Sequence, residues 1–250
     1  MIKSIIFDKD GVLLDLEATW LNSAVAMTHF LSELTKGANP PEIFQEIIGI
    51  DEHTRSIDAD GLFAAGSMIE QFAAYIRQMP ELEAFLIDND TIKSQLRDVF
   101  LNARDKTLST IGSVPNGDVI TPLSELHASG LKLAVLTNDS ASSAQRGCDD
   151  IGISSYLDMV VGFDSGYGSK PQPEGFMAIC NALSVQPDEV VMVGDTYADR
   201  DVAKAAGAGA FVGISAIFPK APKALAECSY LLPDLSDLPE LVKEISVPRS

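Results

Sequence analysis

The sequence predicts a doubly wound, mostly parallel α/β sheet interrupted by an inserted all-helical domain. Three observations lead there. Short apolar runs, one near the start and several from residue 131 onward, end abruptly in Asp, Asn or Gly, as buried parallel strands do where the chain leaves a sheet. Amphipathic helical patterns alternate with these later runs to the end of the chain. Between residues 16 and 110, by contrast, apolar residues recur only at helical spacing.

The first strand is Ile5-Ile6-Phe7, which ends in Asp8, Lys9, Asp10 and Gly11. Asp and Gly are poor strand residues, so this is where backbone surfaces from the sheet. Trp20, Ala24, Met27, Leu31 and Leu34 then fall on one helical face, and Gly37 with Pro40-Pro41 stops that helix. A second helix is expected over 42–48. Met68, Phe72, Tyr75, Ile76 and Met79 mark a third before Pro80, and Ile92, Leu96, Val99 and Ala103 a fourth. No strand is expected in this stretch. Ser113 to Gly117 reads as a turn-rich hinge that returns the chain to the sheet. Strands are then expected at 131–136, 157–161, 190–193 and 210–212, with helices at 141–151, 173–183, 199–206 and 238–245. The domains so defined are 1–15 with 111–250, and 16–110.

Composition narrows the function. The 250 residues are 46% hydrophobic and 22% charged, as in an ordinary globular protein with a sizeable core. Thirty-six acids against 18 bases give a net charge of −18, which argues against a nucleic-acid partner and favours a divalent cation. Cys148, Cys180 and Cys228 are too widely spaced for a zinc site and odd in number for a disulfide framework, so reduced thiols are expected. Asp8 leaves no room for a signal peptide, and no apolar stretch reaches membrane length. The expectation is a cytoplasmic protein, monomeric or homodimeric, without a membrane partner.

In a doubly wound sheet, ligands bind beyond the carboxyl ends of the strands. Those ends carry Asp8 and Asp10, then Thr137-Asn138-Asp139, then Lys170-Pro171 on a glycine-containing loop, then Gly194-Asp195 with Asp199 beyond. Singly, each is an ordinary turn, cap or solvated charge. As a set they are phosphoryl-transfer equipment: a carboxylate nucleophile, further carboxylates for a hard cation, a hydroxyl donor and a lysine.

On these motifs the chain resembles the haloacid dehalogenase superfamily, with its Rossmann-like core, and within it the phosphoglycolate phosphatase type, whose helical cap follows the first strand. The motifs occur in order as Asp8-Lys9-Asp10-Gly11-Val12, Leu136-Thr137-Asn138-Asp139, Ser169-Lys170-Pro171-Gln172-Pro173, and Val193-Gly194-Asp195 through Asp199 to Ala205-Ala206-Gly207. The resemblance implies a Mg2+-dependent phosphatase acting on a small phosphorylated metabolite, phosphoglycolate or a sugar phosphate. It implies Asp8 as nucleophile and Asp10 as acid and base. Thr137, the Asn138 amide and Lys170 would hold the phosphoryl group. Asp8, Asp195 and the Asp10 carbonyl would bind the metal, with Asp199 in support.

Lys9 and Val12 depart from the commonest form of the first motif. Lys9 is expected to point to solvent, because lysine is seldom buried. Val12 also occurs in related phosphomutases of β-phosphoglucomutase type, which leaves that activity open. In the cap, Arg55 could pair with a substrate carboxylate or second phosphate, and His53 could bond a hydroxyl; both could equally be surface residues. His29 and His127 read as structural or exposed, and Trp20 as packing at the cap hinge. Dehalogenation is disfavoured by Asp10, and phosphonatase chemistry by the lack of lysine between Gly37 and Ile92. A phospho-aspartate switch or a binding protein on the same fold is the reading from another class.

Overall fold

The computed structural model describes residues 1–34, 38–58, 60–66, 68–78, 112–215, 225 and 228–246. The chain divides into two compact units, Met1–Leu16 with Val114–Ser250, and Glu17–Ser113. The fourth helix predicted in the insertion, with Gly37, Met79 and Pro80, lies outside the described residues.

The first unit is built on six strands: β1 (Ser4–Phe7), β4 (Lys132–Leu136), β5 (Met159–Val161), β6 (Val190–Gly194), β7 (Ala210–Ile214) and β8 (Tyr230–Leu232). Their order is β5-β4-β1-β6-β7-β8, and every neighbouring pair is parallel. The strand order reverses at β1, which lies between β4 and β6; this is the doubly wound arrangement, with its switch point at the carboxyl ends of β1 and β6. Between the strands run α5 (Ile120–Ala128), α6 (Ala141–Asp150), α7 (Glu174–Leu183), α8 (Tyr197–Ala206) and, last, α9 (Leu238–Ser246).

Strand periodicity explains why β1 is apolar throughout. Ile5 and Phe7 join one buried cluster with Leu133, Val135, Val191, Val193 and Leu123. Ile6 faces the other way into a second, with Ala134, Met192, Phe176 and Ile179. A strand covered on both faces needs an apolar side chain at every position, each contributing about 1.5–3 kcal/mol on burial.

The second unit contains α1 (Leu16–Leu34, from its second residue), α2 (Pro41–Ile48), α3 (Leu62–Ala65) and α4 (Met68–Arg77). Leu21, Ala24, Met27 and Leu31 on α1 pack with Phe44, Ile48 and Tyr75, and the Phe44 and Tyr75 rings meet edge to face at 5.8 Å. Trp20 is buried. The sequence expectation of no strand here needs correction. Ile50–Asp51 (β2) and Ser56–Ile57 (β3) pair antiparallel across a turn in which the Asp51 carboxylate accepts from the His53 and Thr54 amides. Two-residue strands leave no alternating pattern to read. Among the described residues, no helix is long and apolar enough to cross a membrane.

Candidate active site

Asp8 follows β1 directly, its amide donating to the Val193 carbonyl on β6 at 2.8 Å. The chain then turns tightly. The Lys9 carbonyl accepts from the Leu13 and Leu14 amides, and Gly11 adopts φ +88°. A Cβ on Gly11 would lie 2.1 Å from Asp195 Oδ2, so glycine is required both by the backbone and by the carboxylate packed against it. Asn116 secures the same loop, its side-chain amide donating to the Gly11 and Val12 carbonyls at 3.1 and 3.3 Å.

Asp8, Asp195 and Asp199 converge, with one carboxylate oxygen from each lying within 4.8 Å of the others, and all three residues are buried. Lys170 Nζ sits among them, 2.6 Å from both Asp8 Oδ1 and Asp199 Oδ1. The second oxygen of Asp199 accepts from the Thr196 amide and hydroxyl at 3.0 and 2.6 Å, so Asp199 both anchors Lys170 and caps α8. Gly194 makes room for it, since a Cβ there would meet that of Asp199 at 2.2 Å. Asp195 Oδ1 is buried and has no hydrogen-bond partner among the described residues.

Burial, with the negative charge of Asp199 next, raises the Asp8 pKa to about 7 despite the opposing Lys170. Burial, Asp8 and Asp199 push Asp195 well above the usual carboxylate range. Desolvation acts to lower the Lys170 pKa, but Asp199 and Asp8 outweigh it and hold the ammonium charged. Crowded, underneutralised carboxylate oxygens, one of them buried and unpartnered, are what a hard divalent cation satisfies. The residues present therefore fit a cation of the Mg2+ class.

Thr137 is buried, and its hydroxyl accepts from the Asp139 amide at 3.1 Å. Asn138 has a part that sequence reasoning missed. Its side chain accepts from the Lys170 amide at 2.7 Å and donates to the Lys170 carbonyl at 3.2 Å, gripping that residue's backbone from the loop after β4. Asp10 is only partly exposed and stands outside the three-carboxylate cluster.

Lys9 is the clear correction. Expected in solvent, its side chain is 1% exposed, and its ammonium lies 2.9 Å from Asp10 Oδ2 and 2.8 Å from Asp139 Oδ2. Burial acts to lower its pKa, but Asp10 and Asp139 reverse the effect and raise it to about 12. A buried lysine is tolerable when two carboxylates meet it, and Asp139, 130 residues away, could not be matched to it by spacing.

Arg55 lies in the other unit, exposed, with its Nη1 donating to Asn22 Oδ1 at 3.2 Å and its Nε 4.0 Å from Glu17. His53 is exposed, and exposed His29 pairs with Glu52 at 2.8 Å. Cys148 and Cys180 are buried free thiols.

An open parallel sheet with a carboxylate and lysine centre at its switch point is the framework of an α/β enzyme. The chain belongs to the haloacid dehalogenase-like hydrolases, whose family model matches residues 2–207. It is 26% identical to the phosphoglycolate phosphatase of Nitrosospira multiformis over 98% of this chain and 97% of that one. The match to the phosphoglycolate phosphatase of Salmonella typhimurium is 34% identical but spans only 38% of each chain. In fold it is similar to the crystal structure of β-phosphoglucomutase from Clostridium difficile, with TM-score 0.72, 19% identity, and coverage of 98% of this chain and 97% of that one.

Proposed function

We propose that this hydrolase is a phosphatase that releases phosphate from a small phosphorylated metabolite through an aspartyl-phosphate. The observation that carries the reading is the Lys170 ammonium 2.6 Å from Asp8, beside the buried carboxylates of Asp195 and Asp199. A lysine so placed can neutralise an incoming phosphoryl group and leave Asp8 to attack it.

In the first step an Asp8 oxygen bonds to phosphorus as the bond to the leaving oxygen breaks, and Asp10 protonates that oxygen. In the second, water attacks the same phosphorus, Asp10 takes the water's proton, and Asp8 leaves as carboxylate. Thr137 Oγ1, the Asn138 amide and Lys170 bind the phosphoryl oxygens throughout. Asp8, Asp195 and the Asp10 carbonyl would hold Mg2+, with Asp199 in support. When bound, Mg2+ would supply charge neutralisation for the phosphoryl oxygens. The inserted residues 16–110 would serve as a cap that sets specificity, with Arg55 the candidate for a substrate carboxylate. Phosphoglycolate, which the similar phosphatases carry in their names, or a sugar phosphate is the substrate class.

The test is phosphate release from phosphoglycolate, glucose phosphates, nucleotides and an aryl phosphate, with Mg2+ or EDTA. Magnesium-dependent release that Asp8→Asn abolishes is expected. Normal turnover by Asp8→Asn would remove the nucleophile assignment. Phosphoryl return to a sugar without net release would replace phosphatase by mutase.

A further inference from the structure

Lys9 belongs to none of the groups that touch phosphate or metal in the reaction above, yet its charge is fully buried beside the site. Desolvating an ammonium and two carboxylates is repaid only by good geometry, and replacing such a group by apolar side chains is often neutral or stabilising. Its location narrows what it could do. It stands between the proposed nucleophile and the proposed acid in sequence, and its own carbonyl is fixed by two amides of the same turn.

The ammonium spans two loops. On one side it binds Asp10 Oδ2 at 2.9 Å. On the other it binds Asp139 Oδ2 at 2.8 Å, while Asp139 Oδ1 accepts from the Ser140 amide at 2.7 Å ahead of α6. The Asp139 amide in turn donates to Thr137 Oγ1. One side chain thus couples Asp10 to the loop that carries Thr137 and Asn138. Asp10 retains partial exposure on its side chain, whereas Lys9 has almost none. Held at Oδ2 by a buried ammonium, the Asp10 carboxyl has its rotamer restricted while part of its side chain stays accessible.

We propose that Lys9 is a positioning residue that holds Asp10 in register with the phosphoryl-binding loop for proton transfer to the leaving group. The proposal rests on the phosphatase reading. It differs from a purely structural role in one consequence. A leaving group that departs without a proton should feel the loss of Lys9 little, and one that needs a proton should feel it fully. General acid catalysis is typically worth about 10²–10⁴-fold, which sets the scale of the loss.

The experiment compares kcat/KM for phenyl phosphate and 2,4-dinitrophenyl phosphate in wild type, Lys9→Met and the double variant Lys9→Met/Asp139→Asn, with thermal melting of each. kcat/KM reports formation of the phospho-enzyme, the step in which the leaving group departs. The double variant also removes the Asp139 charge that Lys9 neutralises and keeps the test valid if Lys9→Met alone is unstable. The expected result is a loss for phenyl phosphate at least tenfold larger than for dinitrophenyl phosphate, persisting in the double variant. Equal losses on both esters, or wild-type values in the double variant, would reduce Lys9 to neutralising Asp139 and overturn the proposal. Wild type inactive on both esters would overturn the phosphatase reading, and this proposal with it.

Discussion

Gly11 joins backbone conformation to active-site chemistry in a single residue. Its φ of +88° is strained for any L side chain, and a methyl there would sit 2.1 Å from Asp195 Oδ2, well inside van der Waals contact. Asp195 is buried and cannot retreat into solvent. Gly11→Ala should therefore cost about 1–3 kcal/mol in stability and, by displacing Asp195, weaken Mg2+ binding as well. Urea unfolding with and without Mg2+ separates the two effects. A variant as stable as wild type with unchanged Mg2+ stabilisation would show that the loop relaxes freely. The glycine itself was legible as a turn residue after the apolar run. Its packing against a carboxylate 184 positions later was not, because spacing carries no information about which strand ends meet.

The same limit applies to the connecting elements. Strand ends were readable because Asp, Asn and Gly interrupt fully apolar runs, so Asp8, Thr137, Asn138 and Asp195 could be placed before the sheet order was known. Helix α5 went unrecognised because Pro122 reads as a breaker; it occupies the first turn, where its missing N–H breaks no helical bond. Strand β8, three residues long, offers too short a run. The loop-to-loop grip of Asn138 on Lys170 was invisible because the sequence pointed only to the Asn138 backbone. Asn138→Ala removes two hydrogen bonds to the Lys170 backbone while leaving the Asn138 amide in place. The loop carrying Lys170 should loosen, costing about 0.5–1.5 kcal/mol per bond in stability and lowering kcat roughly 10–100-fold. Urea midpoints and steady-state kinetics would measure both. Unaltered kcat alongside reduced stability would mean that Asp8 and Asp199 alone suffice to hold the ammonium.

At the scale of the whole molecule the charge balance decides how the site responds to pH and metal. A chain of net charge −18 gathers Asp8, Asp10, Asp139, Asp195 and Asp199 around Lys9 and Lys170 at one end of its sheet. Without a cation, protons are the available counter-charge. The Asp8 pKa rises from 3.8 to about 7 on folding, so across that window the folded state binds more protons than the unfolded one, and stability should fall as pH rises. With Mg2+ bound the carboxylates are held ionised, so over the same window the folded state binds no more protons than the unfolded one, and the fall should disappear. At pH 8, Mg2+ at about a hundred times its Kd should add about 2.7 kcal/mol and raise Tm by roughly 5–10 °C. Asp195→Asn discriminates this account from general screening of surface charge. It removes a buried carboxylate whose ionised form is disfavoured, so in EDTA at pH 8 the variant should be at least as stable as wild type, yet it should lose the Mg2+-induced shift. Thermal melting of both proteins from pH 5 to 8, in EDTA and in Mg2+, reads all of these signs. A variant destabilised in EDTA but shifted normally by Mg2+ would mean that Asp195 serves packing and that the cation acts elsewhere on the acidic surface.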